Sequence, residues 1–282
     1  MIKVLKAGFY SSVQDKGRVG FAAIGVPVSG AMDAYSSDLA NRILNNLETD
    51  AVLEIAFGFC AFEFLSETTI CISGGSFSPK INGVPVALQT RIHVCKNEVL
   101  TFGHNVFGAR CYLAVKNGFL TTPILKSRSF FQNITQQTLL CKGDVLPVGT
   151  FTNNTDSSNT SVKVVKEHYE SQRIACSKGP EFDALSASQK EVFAKQFFTI
   201  SNDNSRMGYR LNEVIENALP SILTSAVLPG TVQLTPSGKL IVLMRDCQVT
   251  GGYPRVLQLT NTAINQLAQK KTNDTFQFVL KE

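Results

Sequence analysis

A chain of 282 residues, 44% hydrophobic and only 17% charged, can bury a substantial core in one large or two ordinary domains, which excludes wholesale disorder. The net charge of +5 is spread along the chain without a basic run, so no nucleic-acid partner is expected. No apolar window reaches the about 20 residues of a membrane span, and the start, MIKVLKAGFYSSVQDKGR, turns polar too early for a signal peptide, so a cytoplasmic protein without a membrane partner is expected.

In chain order, the first strand is predicted over 2–5, followed by a helix over 34–46. Asp33 is its N-cap, and Tyr35, Leu39 and Ile43 fall at four-residue spacing on one face. Strands follow over 69–72, 91–94, 99–102 and 109–115, with Asn82-Gly83 marking a hairpin between Lys80-Ile81 and Val84-Pro85-Val86. The Asn-, Ser- and Thr-rich stretch 151–162 reads as a linker dividing an N-terminal part, 1–150, from a C-terminal part, 163–282. Beyond it come strands over 162–165, 197–200, 231–234, 240–244 and 275–280. Helices are expected over 187–196, with Ser188 and Glu191 as a capping box, and over 262–269. Many short strands and few helices predict a mainly β fold of two β-rich subdomains.

The seven cysteines are odd in number and form no C-x-x-C, as expected of reduced, mostly buried thiols. His93, His104 and His168 have no ligand spacing with them, so no metal site is expected.

Four stretches carry more polar functionality than turning requires. In Gln14-Asp15-Lys16-Gly17-Arg18, Asp15 and Gly17 can make a turn, but Gln14 and Arg18 are surplus to it and suit a carboxylate or an amide. In the stretch from Gly25 to Asp33, glycines precede a helix start, and Ser29 and Asp33 add polar groups; the alternative is a plain loop with a capping aspartate. In Ser205-Arg206-Met207-Gly208-Tyr209-Arg210-Leu211, period two puts Met207, Tyr209 and Leu211 on one face and Arg206, Gly208 and Arg210 on the other. Two guanidinium groups then point the same way, as suits a carboxylate or phosphoryl group, unless they serve ion pairs on a solvated face. In Asp246-Cys247-Gln248-Val249-Thr250-Gly251-Gly252-Tyr253-Pro254-Arg255, a carboxylate ends an apolar strand where it could serve as acid or base. Gly251 and Gly252 free the backbone, and Gln233 adds an amide upstream; a structural hairpin with a buried aspartate is the alternative. No P-loop, G-x-G-x-x-G, G-x-S-x-G or Met-Lys-Met biotin signal occurs, so a nucleotide- or biotin-dependent reaction would draw machinery from another polypeptide.

The segments VQDKGRVGFAAIGVPVSGAMD, LANRILNN, AVLEIAFG, GARCYLAVKNGF, SRMGYRL and LPGTVQLTPSGKLIVLMRDCQVTGGYPR, in this order over nearly the whole chain, resemble the biotin-dependent carboxyltransferase family. That family includes the C-type subunit of bacterial 5-oxoprolinase (allophanate hydrolase subunit 2, or KipA-like proteins) and one half of the carboxyltransferase region of urea carboxylase. The resemblance implies cyclophilin-like barrel elements, the two parts together forming one carboxyltransferase-type domain. It also implies partner subunits B and A, and ATP-dependent opening of 5-oxoproline, a small cyclic amide, to glutamate. On that reading Asp246, Gln233 and Arg206 are the catalytic candidates, and Arg210, Tyr253, Gly251, Gly252, Thr250, Gln14, Arg18, Ser29 and Asp33 the substrate-binding ones. Two alternatives stay open: a carboxyltransferase component acting on urea or a similar amide through carboxybiotin, and a non-catalytic KipA-like regulatory protein.

Overall fold

The computed structural model describes residues 1–150, 162 and 166–281. The predicted linker and the strand over 162–165 therefore lie, apart from position 162, outside the described residues. The chain divides into two compact units: Met1–Gly17 with Asp33–Lys166, and Arg18–Met32 with Glu167–Glu282. The segment Arg18–Met32 thus groups with the C-terminal part, an assignment that the sequence pattern did not indicate.

The first unit holds two antiparallel sheets. One runs in the order Val145–Leu146, Ile2–Ala7, Cys60–Phe64, Val99–Thr101, Lys80–Ile81, Val84–Pro85; the other in the order Tyr10–Gln14, Val52–Ala56, Phe107–Val115, Thr68–Ser76, Ile92–Val94. Both turn apolar side chains into one core, Ile2, Val4, Phe62 and Phe64 from the first sheet and Leu53, Ile55, Ile72 and Leu113 from the second. The hairpin at Asn82-Gly83 forms as expected. Both residues take positive φ, 48° and 85°, which a two-residue turn of the primed type requires and which Asn and Gly tolerate.

The helix Ala34–Ile43 packs against Phe107–Val115 and Thr68–Ser76, and Asp33 caps it by accepting from the Ser36 backbone N–H at 3.1 Å. Its buried face differs from the expected one. Ser36, Ser37, Ala40 and Asn41 face inward, while Tyr35 is 42% exposed. Small side chains let the helix lie close to the sheet, and bulk at Tyr35 has no place there.

The second unit is built on a closed barrel of seven strands. Their order is Arg173–Lys178, Arg255–Leu259, Thr231–Leu234, Lys239–Leu243, Gly208–Val214, Phe198–Asn204, Thr275–Leu280, and the last returns to the first in parallel register. Alternate residues fill it. Ile174 and Cys176, Val232 and Leu234, Leu240 and Val242, Tyr209 and Leu211, and Phe276 and Phe278 belong to a single core. Full closure leaves no open sheet edge in the barrel. The helix Ala187–Lys195 starts where expected, but its capping box is Ser186 with Gln189, not Ser188 with Glu191. The helix Asn261–Ala268 is capped by Thr260. Among the described residues no helix is long and apolar enough to cross a membrane.

Candidate functional site

At one end of the barrel, the strand Lys239–Leu243 runs out into Met244, Arg245 and Asp246, while its antiparallel neighbour Gly208–Val214 begins just after Arg206. The register continues past both strand ends. The Met244 N–H donates to the Met207 carbonyl at 3.0 Å and the Asp246 N–H to the Arg206 carbonyl at 2.9 Å. Forty positions of sequence are bridged because neighbouring antiparallel strands exchange start for end.

The side chains then meet. Arg206 Nε donates to Asp246 Oδ2 at 2.7 Å and its second terminal nitrogen to Oδ1 at 2.9 Å, a two-pronged pair with 5% and 10% of the side chains exposed. Ser29 Oγ donates to Asp246 Oδ1 at 2.6 Å, and the Arg206 guanidinium also donates to the Gly30 carbonyl at 2.7 Å. Ser29 sits at φ 63° and Gly30 at φ 89°, and the Ser29 N–H donates to the Arg245 carbonyl at 3.0 Å. A left-handed serine costs on the order of 1–3 kcal/mol and persists only where its surroundings dictate it. Here the buried ion pair does so. Asp246 accepts from three side-chain donors, so its oxygens are committed to holding the loop.

Arg210 is not part of this corner. The chain bends at Arg206 and Met207, and the strand starts at Gly208, so period two does not extend back to Arg206. Tyr209 and Leu211 are buried in the barrel, but Met207 is 53% exposed and Arg210 points outward to Asp203 at 2.8 Å. The two guanidinium groups expected to converge are therefore separated.

A second polar feature lies on the outer side of the barrel wall. Val232 and Leu234 point into the core, so Gln233 between them faces outward, yet it is only 2% exposed. A two-stranded ribbon, Ser225–Ala226 with Thr250–Gly251, accompanies this wall. A Cβ on Gly251 would stand 2.6 Å from Gln233 Nε2 and 3.5 Å from Val227, which packs with Leu243 and Cys247. Among the described residues Gln233 Nε2 has no hydrogen-bond partner. A buried donor left unpaired costs about 1–3 kcal/mol. Of the neighbouring candidates, Thr250 is exposed, the Gly252 carbonyl accepts from the Ile222 N–H at 3.1 Å, and Tyr253 is 39% exposed. Behind the ribbon, Arg255 grips Glu181 with two nitrogens at 3.0 and 2.8 Å and reaches Ser225 Oγ at 2.8 Å. That grip holds the Glu181 carboxyl below the usual carboxylate range, the hydrogen bond from Arg255 being the main cause.

The remaining candidates divide between the units. Arg18, in the second, is fully buried, and its N–H closes a loop onto the Val28 carbonyl at 2.6 Å. Gln14, in the first, is fully buried and donates to Ser12 Oγ at 3.0 Å. Its neighbour Asp15 does more than turn the chain: it accepts from Ser127 Oγ and Ser129 Oγ, both at 2.6 Å, and so pins the loop around them. Asp33 also accepts from Ser36 Oγ at 2.6 Å.

Sequence reasoning missed a buried polar row in the first unit. Cross-strand register lines up Ser12, Glu54, Tyr112 and Ser73 across four strands, all with no exposed surface. Tyr112 Oη donates to Glu54 Oε2 at 2.9 Å and accepts from the Asp33 N–H at 2.8 Å, while Arg110 stands 3.7 Å from Glu54. Burial, foremost, pushes the Tyr112 hydroxyl well above its ordinary pKa. The available signal was Glu54 itself, a lone charge inside Ala51-Val52-Leu53-Glu54-Ile55-Ala56-Phe57. Among the described residues no group of three or more His, Cys, Asp or Glu is placed to hold a metal.

A seven-stranded barrel and a two-sheet unit, with candidate side chains drawn from strand ends, form the setting in which known relatives enter. The model of the carboxyltransferase domain, subdomain A and B, matches residues 24–280, and the chain belongs to that family. It is 30% identical over 285 residues to the 5-oxoprolinase C subunit of Escherichia coli (strain K12), covering 99% of this chain and 91% of the relative. The Haemophilus influenzae protein of the same name is 27% identical over 292 residues, with 99% and 90% covered. The crystal structure of the K. lactis urea amidolyase superposes with a TM-score of 0.86 at 26% identity, covering all of this chain and 19% of that one.

Proposed function

We propose that this chain is a subunit of a cytoplasmic 5-oxoprolinase that, with partner subunits B and A, consumes ATP and opens the lactam of 5-oxoproline to glutamate. The observation that carries this reading is the end-to-end match to the C-type subunit of 5-oxoprolinase, 99% of this chain and 91% of the relative. Matches to urea amidolyase of Lachancea kluyveri reach 41% identity but span only 46% of this chain and 7% of that protein. ATP is a substrate of the assembly, and no residue of this chain is assigned to it.

The residues divide the labour by their bonding. Gln233 Nε2, buried and without an acceptor, is the donor offered to the substrate's amide oxygen, where it would polarise the carbonyl. Gly251 packs against that nitrogen, and any β-carbon there would crowd it. Arg206 and Asp246 act on each other and, through Ser29 and the Gly30 carbonyl, fix the loop that precedes Asp33. They are positioning residues in this reading. Thr250, Gly252 and Tyr253 line the exposed side of the ribbon, and Arg210 has no place in the mechanism.

Reconstitution with the partner subunits tests this reading. The complex containing this chain turns over 5-oxoproline with ATP hydrolysis, and Gln233→Ala lowers kcat/KM by roughly 10–100-fold, the value of one charge-stabilising hydrogen bond. Turnover unchanged by Gln233→Ala overturns the role, and a complex inert toward 5-oxoproline overturns the reaction. A second reading, a carboxyltransferase component that acts on urea or a similar amide through carboxybiotin, draws on the superposition with urea amidolyase. Co-purification with a biotinylated protein would select it.

A further inference from the structure

A cavity of about 360 Å³ opens in the second unit between the helix Glu167–Glu170 and the turn that leads into the strand Thr275–Leu280. It shares no residue with the corner at Asp246 or the wall at Gln233. Lys270 lines it and is 6% exposed, although it carries three N–H donors. Among the described residues no hydrogen bond or ion pair reaches its ammonium; only its backbone is tied, to the Leu267 carbonyl at 3.0 Å. Burial lowers its pKa, and Asp274 partly restores it. The stem of Lys270 is buried while its ammonium, without a hydrogen-bond partner among the described residues, reaches the cavity, where an acceptor that enters can meet it.

The rest of the lining restricts which acceptor fits. Glu170 is exposed and makes no side-chain bond within the described residues. Asp274 uses Oδ2 to accept from the Lys271 N–H at 2.8 Å, leaving Oδ1 uncommitted. Two carboxylates in the wall oppose a simple anion, and Lys270 opposes a simple cation. A ligand with both charges satisfies all three groups. Gln172 and Thr275, joined at 3.3 Å, supply a neutral polar wall, and Tyr169 supplies an aromatic one. The volume lies at the small end of ligand sites, which run from about 300 to 1,000 Å³.

We propose that this cavity binds a small zwitterion of the α-amino acid class, its carboxylate on Lys270 and its ammonium between Glu170 and Asp274. The site is independent of the reaction proposed above, and so is its test.

Calorimetric titration of the full chain with L-alanine, propanoate and ethylamine separates the terms. L-Alanine binds saturably, and propanoate and ethylamine, each lacking one charge, bind at least tenfold more weakly. Lys270→Met and Glu170→Gln each weaken L-alanine at least tenfold. Glu170 is exposed, so its variant keeps the test decisive if Lys270→Met fails to fold. No saturable response to L-alanine overturns the proposal. Equal binding of propanoate also overturns it, by identifying a simple carboxylate site, as does unchanged affinity in every variant that folds.

Discussion

Arg206 and Arg210 each pair with an aspartate, Asp246 at 2.7 Å and Asp203 at 2.8 Å, but only 5% and 10% of the side chains in the first pair are exposed against 57% and 70% in the second. The contacts are nearly equal in length and opposite in consequence. In water the second pair gains little from attraction and spends side-chain entropy to form. In the buried corner each charge would be intolerable without the other, so the pair dictates the local backbone, and the left-handed Ser29 is the visible result. Proximity in sequence did not decide which arginine became structural; the bend ahead of Gly208 did.

Four measurements grade this contrast. The largest effect is expected from Arg206→Ala, which leaves Asp246 buried and uncompensated; chemical denaturation should show a loss of about 3–5 kcal/mol. A loss under 1 kcal/mol would mean that water enters the corner as freely as it does the surface. Next, Ser29→Ala removes one of the three side-chain donors to Asp246 and should cost about 1–3 kcal/mol by the same assay. Glu181→Gln tests the intermediate case, the half-buried pair with Arg255. The folded state lowers the Glu181 pKa, so the stabilisation is fully present above the unfolded value near about 4.3 and is lost as pH falls through the folded value. Thermal melts should therefore separate wild type from Glu181→Gln at pH 7 and bring them together in strong acid. The smallest effect belongs to Arg210→Ala, within about 0–1 kcal/mol and fading with salt, with turnover of the reconstituted complex unchanged.

How far the sequence foretells the molecule depends on whether a signal is local. The hairpin at Asn82-Gly83 and the strands Thr231–Leu234 and Thr275–Leu280 form over the expected residues, because turn chemistry and β-branched or aromatic runs are read within a few positions. Val52–Ala56 was missed because it is buried on both faces and shows no alternation. Tyr10–Gln14 was missed because Ser11, Ser12 and Gln14 read as loop residues, although all are buried. The meeting of Asp246 with Arg206 was legible in residue type. Ser29 was singled out as a substrate-binding candidate and not as the partner of Asp246, and the separation of Arg210 depends on a bend that no periodicity announces. The polar row of Ser12, Glu54, Tyr112 and Ser73 is a product of strand register alone, and register is nowhere written in a single strand.

The parallel seam between Arg173–Lys178 and Thr275–Leu280 joins segments about a hundred positions apart. During synthesis the ribosome must release Thr275–Leu280 before the ring can shut, so every shorter nascent chain carries an open edge and a greasy lining exposed to water. Folding of this unit is consequently a late, long-range event that favours chaperone attendance.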